Sequence, residues 1–99
     1  RQKEDRVTFN FFGDQLVCHL SPEDIDDEVR FYPRHFGITF FKKEDYENLL
    51  SMLVSSDVEI LGRHTRFNGM QDEHDTFFIS DYSNNLVEFK YYKDPEMMY

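Results

Sequence analysis

Tryptophan is absent from these 99 residues, glycine occurs four times, proline three times and cysteine once. The lone Cys18 cannot close an internal disulfide, so a reducing, cytoplasmic setting without a disulfide framework is expected. Cations are scarce, with 11 Lys and Arg against 20 Asp and Glu and a formal charge of -9. That balance argues against binding a nucleic-acid backbone, whose affinity comes from Lys and Arg. It argues equally against an anionic membrane surface. No segment approaches the roughly 18 apolar residues of a membrane span. Arg1 to Arg6 is polar and mixed in charge, so no signal peptide is expected there. Repeats and low-complexity tracts are lacking too.

What is present is aromatic. Eleven Phe and six Tyr supply core material for one small domain, and they exclude a disordered chain. Val7 to Phe12 alternates in period two, Gly13-Asp14 suits a hairpin turn, and Gln15 to Leu20 reads as the returning strand. Ser21 to Pro33 carries five acids and reads as a solvated linker. His35 to Phe41 is a third strand, with Phe36, Ile38 and Phe40 on its apolar face and His35, Gly37 and Thr39 on the other. Lys43 to Ser56 is the best helix, because Tyr46, Leu49, Leu50, Leu53 and Val54 form one stripe. Val58 to Leu61 reads as a short strand that Gly62 breaks and His64 to Phe67 resumes. Asn68 to His74 is a loop, Asp75 to Ser80 a strand, Asp81 to Asn85 a turn and Leu86 to Tyr92 the last strand. From His35 onward the order is β-α-β-β-β, an α+β unit with one helix on the back of a sheet.

No phosphate loop, CxxC, HExxH or GxSxG motif occurs. Cys18 reads as a buried small hydrophobe, opposite in parity to His19. His64 and His74 flank a loop and are expected to be exposed. His19, His35 and Glu88 stand out: two imidazoles and one carboxylate, each on a separate strand, make a set used by non-haem iron and other divalent metals. Their bland alternatives are hydrogen-bonded strand histidines and a Glu88 paired with Lys90. Gln15 and Thr39 share strand faces with His19 and His35 and are candidates to support them. Arg66 is a candidate anion anchor. Phe77 and Phe78 point to opposite faces, so one belongs to the core and Phe78 can line a cavity.

The hairpin FNFFGDQLVCHL, the strand PRHFGITF and the ending DTFFISDYSNNLVEFKYYKDP resemble the vicinal oxygen chelate superfamily. These are the glyoxalase, bleomycin-resistance and extradiol-dioxygenase proteins. The closing stretch Asp81 to Lys90 is the most specific part, with Tyr82 and Asn84 departing from the usual Pro and Gly. The resemblance implies a cupped mixed sheet built from βαβββ modules, the second complete and the first partial. Residues 1–20 would be the last two strands of module one, 21–34 a linker, 35–92 module two and 93–99 a tail. The first strand, helix and second strand of module one would be missing, and with them a fourth ligand.

The same resemblance implies one divalent ion, iron, manganese, nickel or zinc, held by His19, His35 and Glu88. Glu88 would double as a catalytic base in isomerising members. The ion would act as a Lewis acid on two neighbouring oxygens of a small-molecule substrate, giving lyase, isomerase or dioxygenase chemistry. A homodimer is implied as well. The competing readings are a metal-free binding protein of the bleomycin-resistance type and a module with a vestigial site.

Overall fold

A computed structural model describes residues 1–99. The chain forms two antiparallel or mixed sheets and one helix. The strands are β1 (Gln2–Lys3), β2 (Arg6–Phe11), β3 (Asp14–His19), β4 (Phe36–Phe40), β5 (Leu61–Arg66), β6 (His74–Ser80) and β7 (Leu86–Tyr92), and the helix is α1 (Lys43–Ser55). The first sheet has the order β1-β2-β3 and the second β4-β7-β6-β5. In the second, β4 runs parallel to β7, and the other pairs are antiparallel. The β-α-β-β-β order is as expected from the sequence, and so is the α+β class.

Alternation in β4, β6 and β7 sorts their side chains onto two faces. Ile38, Phe77, Ile79, Val87, Phe89 and Tyr91 face α1, which lays Tyr46 and Leu50 onto them with Leu49 and Leu53 alongside. The helical stripe ends there: Val54, expected to extend it, is exposed. Glu44 and Asp45 occupy the first turn of α1, where negative charge complements the helix dipole. The other sheet face carries His35, Gly37 and Thr39 from β4 and its approach, Thr76 and Phe78 from β6, and Glu88 and Lys90 from β7. No helix covers it, and only nine residues of the chain are buried.

The hairpin turn is Phe12-Gly13, one residue earlier than the sequence suggested. Both residues have positive φ, 56° and 88°. That is the two-residue turn whose twist matches antiparallel strands. A phenylalanine in the left-handed region costs free energy, and tertiary packing offsets it. The Phe12 ring packs edge-on against Phe40 and Phe89, with centroids 5.6 and 5.9 Å away, and so fastens the hairpin tip to the main sheet.

Four local expectations are corrected. A two-residue strand, Gln2–Lys3, precedes the hairpin and pairs with β2, so residues 1–20 hold three strands. Val58 to Ile60 is not strand; β5 starts at Leu61 and passes Gly62 as an irregularity in the ladder rather than stopping. Cys18 is exposed, because no second layer covers the hairpin. His74 is buried rather than exposed, stacked 4.5 Å from the Tyr92 ring, with Nδ1 donating to the Asp72 carbonyl. No helix is long and apolar enough to cross a membrane.

Candidate functional site

β4 and β7 lie side by side, with Gly37 opposite Glu88. Glycine is required there: a Cβ at Gly37 would come within 1.6 Å of the Glu88 carbonyl oxygen. The missing side chain lets the two strands close up beside the uncovered face. His35, just ahead of β4, then reaches across to Glu88, and its Nε2 lies 3.3 Å from Oε1.

Each partner is held from behind. The Phe31 carbonyl lies 2.8 Å from His35 Nδ1 and can only accept, so Nδ1 carries the proton. On β6, Thr76 Oγ1 donates to Glu88 Oε2 at 2.6 Å. Phe78 packs edge-on against the imidazole, 5.4 Å between centroids, and against Phe31 at 5.0 Å. Lys90 Nζ stands 3.7 Å from Glu88 Oε1.

These contacts decide what the gap between Nε2 and Oε1 can hold. A neutral imidazole protonated on Nδ1 presents a lone pair at Nε2, and a carboxylate presents only lone pairs. Two acceptors at 3.3 Å repel unless a positive centre offsets them, a proton on Nε2 or a cation, and the Lys90 ammonium at 3.7 Å from Oε1 already does so in part. A histidine whose second nitrogen donates to a carbonyl, beside a carboxylate fixed by a hydroxyl, is also the usual outer arrangement of a metal ligand pair. His35 and Glu88 therefore fit two positions of a divalent-ion site.

The third residue, His19, does not join them in this fold. It ends β3 in the other sheet, opposite Arg6, and is exposed. No group of three His, Cys, Asp or Glu side chains is close enough to share an ion. Of the supporting candidates, Thr39 lines the same hollow as His35, Glu88 and Lys90, a cavity of about 170 Å³, and Phe78 touches His35. Gln15 is exposed opposite Asn10 on the hairpin, and Arg66 is exposed on β5 opposite His74. Neither is at the His35–Glu88 pair.

Sequence reasoning overlooked Thr76 and Phe31. Parity alone could have found Thr76, since it shares a face with Phe78 on the neighbouring strand. Phe31 acts through its backbone, which no side-chain pattern reveals. A second, larger hollow of about 450 Å³ adjoins the first. It shares His35 and Phe36, and the linker and the β6–β7 turn form its walls.

No family model matches the chain, and no curated protein does. Solved structures do. A glyoxalase/bleomycin resistance protein/dioxygenase from Alicyclobacillus acidocaldarius is 52% identical over all of this chain and 75% of its own, with a TM-score of 0.94. The genomically encoded fosfomycin resistance protein FosX from Listeria monocytogenes is 15% identical, covering 92% of this chain and 69% of its own, with a TM-score of 0.67. A glyoxalase family protein from Bacillus anthracis is 15% identical, covering 89% and 62%, with a TM-score of 0.59. The last two share the fold.

Proposed function

This chain belongs to the glyoxalase/bleomycin resistance protein/dioxygenase family, and from that premise we propose that it is a metal-dependent enzyme acting on a small molecule through two neighbouring oxygens. The observation that carries the reading is the His35–Glu88 pair, whose lone pairs converge at 3.3 Å while Phe31 and Thr76 hold the opposite ends. His35 Nε2 and Glu88 Oε1 would hold a divalent ion, iron, manganese, nickel or zinc. When bound, the ion supplies Lewis-acid polarisation of the substrate oxygens.

The chain's own residues do the rest. Thr76 fixes the carboxylate plane, so Glu88 keeps one oxygen directed at the site. The Phe31 carbonyl fixes the histidine tautomer and ring angle. Phe78 shields one side of the imidazole from water. Glu88, which lines the smaller hollow, is the candidate proton acceptor in isomerase or lyase chemistry, where its carboxylate would leave the ion to take the proton. His19 enters this reading as a third ligand only through a second copy or a rearranged hairpin, and a homodimer is part of the proposal. The division into residues 1–20, 21–34, 35–92 and 93–99 is likewise retained as a proposal.

Elemental analysis of the purified protein and a His35→Ala variant tests the reading. Near one equivalent of metal in the parent and none in the variant supports it, and the metal's identity separates oxygen chemistry from isomerase or lyase chemistry. Absence of metal uptake by the parent, even after incubation with manganese, iron, nickel and zinc salts, sinks it in favour of a metal-free binding protein.

A further inference from the structure

The hollow beside His35 has a charge pattern of its own. Arg30 and Arg34, from the linker, line it together with Asn84 and Asn85 of the β6–β7 turn. Arg30 is occupied by Glu28 at 3.5 Å. Arg34 makes no ion pair. The two acids on the same wall do not claim it. Asp24 accepts from the Ser21 hydroxyl, and Asp26 turns its backbone carbonyl to Asn84 Nδ2, 2.8 Å away. That last bond ties the linker to the turn, so the walls are joined rather than loose. Tyr32, beside His35 with 5.9 Å between ring centroids, adds a flat aromatic surface.

Arg34 is exposed at the wall of this hollow of about 450 Å³, and an arginine without an ion-pair partner is suited to recognise an oxyanion there. The hollow is within the size range of small-ligand sites, roughly 300–1,000 Å³. It opens directly onto His35, which also lines the smaller hollow with Glu88 and Lys90. The two hollows adjoin at His35 and Phe36. Most of the overall charge of -9 is screened beyond about 8 Å at physiological salt, while Asp24 and Asp26 line the hollow itself and set a local repulsion that Arg34 must outweigh.

We propose that Arg34 is a specificity residue, selecting small organic acids whose carboxylate or equivalent oxyanion lies in the larger hollow while their vicinal oxygens reach the His35–Glu88 pair. The assignment of the vicinal oxygens rests on the function proposed above; the anion site rests on Arg34 alone. Tyr32 supports the body of such a molecule, while the Asn84 and Asn85 amides are engaged with the Asp26 carbonyl and the Asp81 carboxylate and shape the wall.

Two matched chelating probes test it: 4-carboxybenzohydroxamate, which carries the extra carboxylate, and benzohydroxamate, which does not. Calorimetric titration of the full chain, with and without zinc, gives the preference between them. The native chain should bind the carboxylated probe roughly two- to fivefold more tightly, the range of an exposed ion pair. Arg34→Gln should abolish the preference, Arg34→Lys should retain part of it, and Arg30→Gln should leave it unchanged. Circular dichroism identifies any variant that has not folded, and Arg34→Lys then carries the test. A preference that survives Arg34→Gln, or equal affinity of the native chain for both probes (undetectable binding included), overturns the proposal. Failure of the metal reading looks different: zinc changes neither affinity, while the carboxylate preference persists.

Discussion

His35 and Glu88 meet across a parallel strand pair, Nε2 to Oε1 at 3.3 Å, beside Gly37, the register partner of Glu88, whose missing side chain lets the two strands close up. The pair brings two acceptor atoms together and fastens each from behind. Several measurable consequences derive from that arrangement and from the packing beneath it.

Replacing Thr76 by Val keeps the shape and removes the hydroxyl that donates to Glu88 Oε2. Loss of such an outer partner lowers metal affinity by about 10- to 100-fold. Zinc titration of Thr76→Val should show a loss of that size, whereas Glu88→Gln should abolish uptake. Unchanged affinity in Thr76→Val would remove Thr76 from the site.

Lys90 acts in the opposite direction. Its ammonium group, 3.7 Å from Glu88 Oε1, competes with any cation for that oxygen. Lys90→Met should tighten divalent-ion binding about three- to tenfold, since the side chain is partly exposed and the repulsion is screened. Weaker binding in the variant would show that Lys90 orients Glu88 instead.

Gly37→Ala is expected to be far more damaging than an ordinary surface change. The new methyl would sit 1.6 Å from the Glu88 carbonyl oxygen, so β4 and β7 must separate. A loss of about 3 kcal/mol or more in denaturant unfolding is expected, with faster amide exchange along β4. A variant as stable as the parent would mean that the strands are not so close in solution.

Tyr46 gives a pH dependence unrelated to the site. Burial against the sheet, reinforced by the nearby negative charge of Asp75, pushes its phenol up to about 12. A raised folded-state value means the stability is intact below pH 10, the unfolded value, and is lost as pH climbs toward 12. Over that window the native chain should lose on the order of 2 kcal/mol more than Tyr46→Phe. Parallel stability curves for the two proteins would show that the phenol ionises freely in the fold.

Much of the fold was legible in order and parity. The alternation of Phe36, Ile38 and Phe40 against His35, Gly37 and Thr39 assigned both faces of β4 correctly, because period-two chemistry is local. The stripe on α1 was legible for the same reason, except at its end, where Val54 is exposed. What failed depended on coverage. Cys18 reads as core by residue type, but no layer lies over the hairpin, and His74 reads as loop but is stacked on Tyr92. The start of β5 was misplaced because Gly62 breaks a pattern without breaking a ladder. The turn was misplaced by one because Phe12 takes a left-handed backbone that only its contacts with Phe40 and Phe89 make tolerable.

The amino-acid sequence alone determined the β-α-β-β-β order, the two chemistries of the sheet and the candidate set His19, His35 and Glu88, since these follow from residue type and period. Tertiary structure alone decided that His35 and Glu88 meet while His19, on the separate hairpin, remains apart in this fold. Residues 53 positions apart in the chain are brought into contact by the β4–β7 register and the closeness that Gly37 permits, and neither is written in any local pattern. The same holds for Thr76 and the Phe31 carbonyl, whose roles exist only once the strands and the linker are folded against one another.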